Sequence, residues 1–193
     1  MKSVTLEKLL IACGGFLLGV LWMDLLFDTY IFRTAPASAV VTIASYYRHV
    51  TTVAAPLNRV IGGIMLVTIA AAVYQVIRRR DARRVAIVGL LLATVPIGLA
   101  ALRIVPNAVD LGTQTASPTE QITLARTIAF DHLLCVVLVT AFVLLQIIGS
   151  RTRDQGLGTK SRRTPPLVQP RTVDRQPRTV PTSSLSRLAS ESV

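Results

Sequence analysis

Four long apolar segments, separated by shorter polar ones, dominate the pattern of this sequence. The apolar segments run over about residues 6–32, 54–77, 85–105 and 128–148. An α-helix rises about 1.5 Å per residue and the hydrocarbon core of a bilayer is about 30 Å thick, so each segment is long enough to cross a membrane as a helix. The pattern predicts an all-α polytopic membrane protein whose transmembrane domain, residues 1–150, is a bundle of four helices.

The composition agrees with this interpretation. Hydrophobic residues make up 51% of the 193 residues and charged residues only 16%, compared with about 25% charged residues in soluble domains. The net charge of +11 is concentrated at the flanks of the apolar segments, because nine of the 21 Lys and Arg follow Ser150 and five lie between Arg78 and Arg84. This distribution is typical of charges that set membrane topology, so we expect no nucleic-acid partner.

The basic residues also predict the orientation of the chain. Short loops rich in Lys and Arg stay in the cytoplasm, which places residues 78–84, the N-terminus and the segment after the fourth span on that side. We expect a multi-pass protein of the plasma or inner membrane with both termini cytoplasmic and with its first apolar segment retained rather than cleaved. Residues 151–193 are rich in Arg, Pro, Ser and Thr, which predicts a basic, disordered cytoplasmic tail.

Ionisable and amide side chains inside the spans collect at the end of the bundle away from residues 78–84. A charged side chain in the bilayer core costs at least about 2.5 kcal/mol on insertion scales, so these groups should face one another. We expect Asp24 to pair with Arg59 or Arg103, and Tyr46 and Tyr47 to act as interface anchors rather than as a lid. The other half of the bundle holds no comparable polar set. The predicted cluster comprises Asp24, Asp28, Asn58, Arg59, Arg103, Asn107, Asp131 and His132.

Two interpretations of this cluster stay open at the level of the sequence. In the first, it lines an outward-facing pocket that binds a small organic molecule or acts on it catalytically, with His132 and Asp131 as the catalytic residues and with Arg59 or Arg103 holding an anionic or phenolate oxygen. The predicted ligand-binding residues are then Asp24, Asp28, Asn58, Arg59, Arg103 and Asn107. In the second, the cluster is structural and the chain is a non-enzymatic membrane subunit, assembly factor or scaffold.

The expected partners follow from the same features. They are the lipid bilayer, a small organic ligand, and either a second copy of the chain or another membrane protein. We expect no cofactor and no metal ion, because the sequence contains no His-x-x-His, Glu-x-x-His or paired-cysteine spacing.

Three short motifs stand at the ends of the spans. Asn58-Arg59 opens the second span, Ile104-Val105-Pro106-Asn107 closes the third, and the segment from Arg126 to His132 opens the fourth. Together they resemble the anthrone oxygenase-like family of small four-helix membrane proteins, over about residues 6–150. The resemblance implies a compact bundle with Asn58, Arg59, Asn107 and His132 around one pocket. For the enzymes of that group it implies oxidation of an activated phenolic carbon without an obvious cofactor.

Small and cyclic residues suggest how the helices pack. Pro96 lies near the middle of the third span, where it is expected to kink the helix. Glycines spaced along the first two spans predict close helix approach. These glycines are Gly15, Gly19, Gly62 and Gly63.

Overall fold

The computed structural model describes residues 3–33, 36–79 and 82–161, and the regular structure within these ranges is entirely helical. The α-helices are α1 (Ser3–Asp28), α2 (Tyr30–Arg33), α3 (Pro36–Thr52), α4 (Ala55–Arg78), α5 (Arg83–Leu99), α6 (Val105–Thr113) and α7 (Pro118–Ser161). A π-helical segment, Ala100–Ile104, joins α5 to α6.

Four helical stretches in the described part of the chain are long and apolar enough to cross a membrane, which confirms the predicted fold class. They are Thr5–Arg33, Ala55–Arg78, Arg83–Thr113 and Pro118–Arg151. α1 packs most extensively against α7, and α5 lies between α4 and α7. The protein is therefore an all-α transmembrane bundle of four helices.

The segment between the first and second spans forms α3, a helix that the sequence pattern did not predict. α3 lies against α6, and the two helices approach most closely at Gly112. A Cβ at this glycine would lie 3.1 Å from the backbone nitrogen of Arg48. A larger residue there would push α3 away from α6, so Gly112 fixes the position of α3 at this end of the bundle.

α7 is longer than the fourth apolar segment at both ends. It begins at Pro118 because Ser117 and Glu120 form a capping box. The Glu120 carboxylate accepts a hydrogen bond from the Ser117 backbone N–H at 2.9 Å, and the Ser117 hydroxyl accepts one from the Glu120 N–H at 3.4 Å. α7 continues to Ser161, so residues 151–161, predicted to belong to the disordered tail, are helical. The rest of the predicted tail, residues 162–193, lies outside the described residues.

Pro96, which was expected to kink the third span, lies inside α5, and a π-helical segment begins four residues after it. The Val105 backbone N–H donates to the Ala100 carbonyl, five residues earlier, which widens this turn. The Pro96 carbonyl accepts a hydrogen bond from the Cys135 thiol of α7 at 3.7 Å. The irregular stretch is thus held against α7.

α1 and α7 come into close contact at Gly14, a glycine that the sequence analysis did not single out. A Cβ at Gly14 would lie 2.7 Å from the Val143 side chain of α7, so Gly14 is where α1 and α7 approach each other. The predicted close packing is wrong for the described residues at four other positions, where an added Cβ would meet nothing within 4 Å. These positions are Gly15, Gly19, Gly62 and Gly63.

Candidate functional site

Two carboxylates, two tyrosines and a histidine meet at the end of the bundle remote from the α4–α5 turn. Asp24 and Asp28 lie one turn apart on the same face of α1. α3 contributes Tyr46 and Tyr47, and α7 contributes His132. We call these five side chains the tyrosine–carboxylate cluster. It joins α7 to α1 and α3, which lie far from α7 in the sequence.

Each carboxylate accepts a hydrogen bond from one tyrosine. The Tyr46 hydroxyl donates to Asp24 Oδ1 at 2.5 Å, and the Tyr47 hydroxyl donates to Asp28 Oδ1 at 2.7 Å. His132 lies between the two carboxylates, with Nδ1 2.5 Å from Asp28 Oδ2 and Nε2 3.8 Å from Asp24 Oδ2. Asp28 is 0% exposed and His132 is 3% exposed, so protein groups alone satisfy the Asp28 carboxylate.

Both tyrosines of the cluster remain proton donors. Burial raises the pKa of Tyr46 and the hydrogen bond to Asp24 raises it further, while burial and the charge of Asp28 raise the pKa of Tyr47. A phenol whose pKa is raised keeps its proton at neutral pH, because its charged form is disfavoured. The two tyrosines, predicted as interface anchors, instead cover the carboxylates of α1.

The arginines predicted to neutralise Asp24 lie elsewhere. Arg103, on the π-helical segment, approaches Asp131 instead, with Nε 3.4 Å from Oδ2 and with 56% of the arginine side chain exposed. Arg59 is exposed near the start of α4. Both arginines stand near helix ends, where a long side chain can reach the interface rather than the bundle interior.

Asp131, predicted to be catalytic together with His132, does not contact the imidazole ring in the described structure. Consecutive residues on an α-helix point about 100° apart, so Asp131 is directed towards Arg103 while His132 is directed into the bundle. Asp28 of α1 supplies the carboxylate that holds the ring. This interaction spans most of the chain, and no local spacing in the sequence reveals it.

A cavity of about 330 Å³ adjoins the tyrosine–carboxylate cluster. Its polar end is lined by Asp24, Tyr47, His132 and Asn58, and the Asn58 amide nitrogen donates to the Val50 carbonyl at 2.9 Å. Its walls are largely apolar and come from α1, α4, α5 and the π-helical segment. They include Leu17, Ile61, Met65, Ile97 and Ala101.

The cavity contains only part of the predicted pocket. Asp24, Asn58 and His132 line it, and Asp28 lies behind His132. The other predicted site residues in the described chain are not among the lining residues. They are Arg59, Arg103, Asn107 and Asp131.

The chemistry open to this arrangement is set by the imidazole. His132 lines the cavity with its Nδ1 against Asp28, and its Nε2 can donate or accept a hydrogen bond according to the tautomer of the ring. Within the described ranges, no group of three or more His, Cys, Asp or Glu side chains is arranged to hold a metal ion. The site therefore offers hydrogen bonding and charge.

A second polar set lies towards the α4–α5 turn, where the sequence analysis expected none of comparable size. Gln75 Nε2 donates to Gln146 Oε1 at 3.0 Å, and Gln146 Nε2 donates back to Gln75 Oε1 at 3.3 Å. Nearby, Glu7 is 2% exposed and forms an ion pair with Arg79. We call these four side chains the glutamine layer. The sequence feature that could have predicted this layer is the presence of a glutamine in each of two otherwise apolar segments.

A family model matches the chain over residues 2–150, which include three of the four transmembrane stretches completely and nearly all of the fourth. The chain belongs to the SHR3 chaperone family. The description of this family is "ER membrane protein SH3". Comparisons with curated proteins and with solved structures gave no match.

Membership of the SHR3 chaperone family overturns the resemblance to the anthrone oxygenase-like family, which was wrong. The motifs behind that resemblance are short and stand at helix ends, where amide, basic and proline residues are common for general reasons of capping and interface contact. The family match instead covers the whole bundle except the last residue of its fourth span.

Proposed function

We propose that this protein is a non-enzymatic assembly factor for other multi-pass membrane proteins and that it acts in the endoplasmic reticulum membrane. The observation that carries the proposal is the match to the SHR3 chaperone family over residues 2–150, since that family is named for a chaperone and described as an ER membrane protein. The endoplasmic reticulum takes the place of the plasma membrane expected from the sequence.

The distribution of polar groups in the bundle supports this function. A multi-pass protein whose helices have not yet met exposes polar side chains to lipid, and a charged side chain at the bilayer centre costs at least about 2.5 kcal/mol on insertion scales. In this chain Asp28 is satisfied by Tyr47 and His132, and Gln75 pairs with Gln146. These polar groups are therefore satisfied within the chain, so they do not need the helices of another protein.

The outward surface of the spans supports contact with other helices. Large apolar side chains are well exposed along them, including Leu66 of α4 and Leu102 of the π-helical segment. In a bilayer, helix association depends on packing and interhelical hydrogen bonds. A surface of this kind suits transient contacts with the transmembrane segments of other proteins.

The proposal includes an orientation and a division of the chain. Residues 78–84 and both termini face the cytoplasm, as the basic residues favour, and the tyrosine–carboxylate cluster lies in the lumenal half. Residues 1–150 form the transmembrane domain, with a basic cytoplasmic tail from 151 to 193. Oxidation of a small organic molecule has no support, because it rested on the resemblance that the family match overturns.

The test is to deplete the protein in its native cells and compare membrane proteins between the endoplasmic reticulum and the cell surface by quantitative mass spectrometry. We expect a subset of multi-pass proteins to be retained or aggregated in the endoplasmic reticulum, single-pass proteins to be unaffected, and the wild-type chain to restore the distribution. Crosslinking in intact membranes should recover the same subset. An unchanged distribution of every multi-pass protein would contradict the proposal.

A further inference from the structure

The cavity beside the tyrosine–carboxylate cluster is open at one side, within the transmembrane stretches. The exposed residues that line it stand on two of these stretches, with Asn58 on α4 and with Ala101 and Val105 on the stretch that contains the π-helical segment. An occupant can therefore enter from the bilayer.

Three hydrogen-bond donors around the polar end of the cavity are directed to protein acceptors. The Tyr47 hydroxyl donates to Asp28, one N–H of the Asn58 amide donates to Val50, and the Thr51 hydroxyl donates to the Tyr47 carbonyl at 2.8 Å. The ionised carboxylate of Asp24 can only accept hydrogen bonds. A ligand that binds to Asp24 must therefore carry a donor of its own.

The charge at the polar end also selects the ligand. Asp24 Oδ2 lies 3.8 Å from His132 Nε2, which is too far for a hydrogen bond, while Asp28 occupies the other nitrogen of the imidazole. Among the described residues that line the cavity, none is Lys or Arg. Two carboxylates, Asp24 and Asp28, share the single imidazole of His132, so the ionised set keeps a net negative charge whichever form the imidazole takes, and a negative charge in a low-dielectric site favours a cation.

The size and walls of the cavity define the rest of the ligand. Its volume of about 330 Å³ is at the lower end of the range of small-molecule sites and is far too narrow for a helix about 10 Å across. The apolar walls suit a hydrocarbon chain that continues through the open side into lipid.

We propose that this cavity binds a single-chain amphipathic amine, with its protonated nitrogen against Asp24 and its chain leaving between α4 and the π-helical segment. The site does not depend on the proposed assembly function. Binding is measured on the purified chain without a client protein, so either proposal can fail while the other stands.

The test uses the purified full-length protein in a neutral detergent and follows its thermal unfolding with dodecylamine. Dodecanol and dodecanoate serve as chain-matched probes that lack the positive charge. We expect dodecylamine to raise the unfolding midpoint in a saturable way, because a ligand that binds the native state stabilises it. The alcohol and the carboxylate should not raise it.

Two variants locate the site. Asp24→Asn keeps an oxygen for the Tyr46 hydroxyl but removes the charge, and it should weaken dodecylamine binding by roughly thirtyfold. Gly62→Leu places a side chain in the cavity, because an added Cβ at Gly62 meets nothing within 4 Å and this glycine lines the cavity. It should abolish binding. Gly63→Leu, at the neighbouring open position that does not line the cavity, is the matched control and should bind as the wild type does.

Several results would overturn the assignment. An equal rise in the unfolding midpoint with dodecanol would show that the charge of the ligand does not matter. Equal binding of dodecylamine by the Gly62→Leu and Gly63→Leu proteins would show that the ligand does not bind in the cavity. If Asp24→Asn lowers the yield of folded protein, the two glycine variants still decide the question. No response to dodecylamine together with binding of a transmembrane peptide that carries a single lysine would assign the site to a protein segment and reject the lipid-like amine.

Discussion

Tyrosine hydroxyls satisfy the two aspartates of α1 without adding a second full charge to the bundle interior. An arginine in the same position would bring its own desolvation cost, which can exceed the attraction gained in a buried pair. A phenol is neutral, rigid and apolar over most of its surface, and Tyr46 also stacks on Phe27 with ring centroids 4.0 Å apart. The same two side chains therefore bind the carboxylates and pack α3 onto α1.

Asp28 should be the most sensitive residue of the cluster. Asp28→Asn removes the charge that Tyr47 and His132 both contact, and we expect it to lower the free energy of unfolding by about 2–3 kcal/mol, the range of hydrogen bonds to charged groups. The measurement is chemical or thermal unfolding in detergent.

The control for this prediction is Asp110→Asn, the same substitution at an exposed position on α6. It should change the stability by less than about 0.5 kcal/mol. Equal losses of unfolding free energy in the two variants would show that the buried hydrogen bonds of Asp28 stabilise the fold no more than the exposed carboxylate of Asp110 does.

The meeting of Asp24, Asp28 and His132 was predictable from the sequence, because ionisable groups at membrane depth are too costly to face lipid. Their partners were not predictable on the same basis. The expectation that a buried charge pairs with an opposite charge favoured arginines, whereas a neutral hydroxyl on α3 satisfies a carboxylate equally well. An expectation based on charge also overlooks amides, which is why Gln75 and Gln146 were missed.

At the scale of helices, the transmembrane spans followed from apolar length alone, but the helices between them did not. α3 has too little hydropathy to register as a span, and its helical form depends on packing against α6. The start of α7 was available in the sequence, since Ser117 and Glu120 have the spacing of a capping box. It was overlooked because the apolar pattern begins about ten residues later.

The contact between α1 and α7 gives a matched pair of substitutions. Gly14→Ala places a Cβ 2.7 Å from the Val143 side chain, so one helix must shift, and we expect a loss of about 1–3 kcal/mol in unfolding free energy. Gly15→Ala meets nothing within 4 Å and should be neutral or slightly stabilising, because alanine favours helix more than glycine does.

The unfolding free energy of both glycine variants is measured by chemical or thermal unfolding in detergent. A second substitution, Val143→Ala, should recover part of the loss in the Gly14→Ala protein by removing the methyl groups that clash. Gly14→Ala and Gly15→Ala proteins of equal stability would mean that α1 and α7 are not in close contact at this level.

For the whole molecule, two polar sets near opposite ends of the bundle fix the register of its helices. The tyrosine–carboxylate cluster ties α1 to α3 and α7, while the glutamine layer ties α4 to α7 and, through Glu7, α1 to the α4–α5 turn. Apolar packing alone tolerates sliding of one helix along another, but paired polar groups at two levels do not. We therefore expect one defined arrangement of the spans.

The orientation of the bundle is tested with single introduced cysteines in sealed membrane vesicles derived from the endoplasmic reticulum. A membrane-impermeant maleimide should label Arg83→Cys, at the basic turn, and should leave Thr115→Cys unlabelled until the vesicles are opened. Both positions are exposed, Cys135 is buried and Cys13 lies within the first span. The reverse pattern would refute the cytoplasmic placement of the basic turn.

The widened turn at Ala100–Ile104 has a consequence for how the chain tolerates insertions and deletions. A π turn accommodates one residue more than the α-helix around it, and each helical residue advances the side chains by roughly 100°. Deleting one residue there would restore a regular turn and leave the direction of α6 nearly unchanged, because the wide turn already absorbs the extra residue. Deleting one residue between Pro106 and Leu111 would instead rotate Gly112 away from Arg48, and α3 would lose its contact with α6. The loss of one codon should thus be tolerated at the wide turn, whereas the same loss within α6 would displace Tyr46 and Tyr47 from their aspartates.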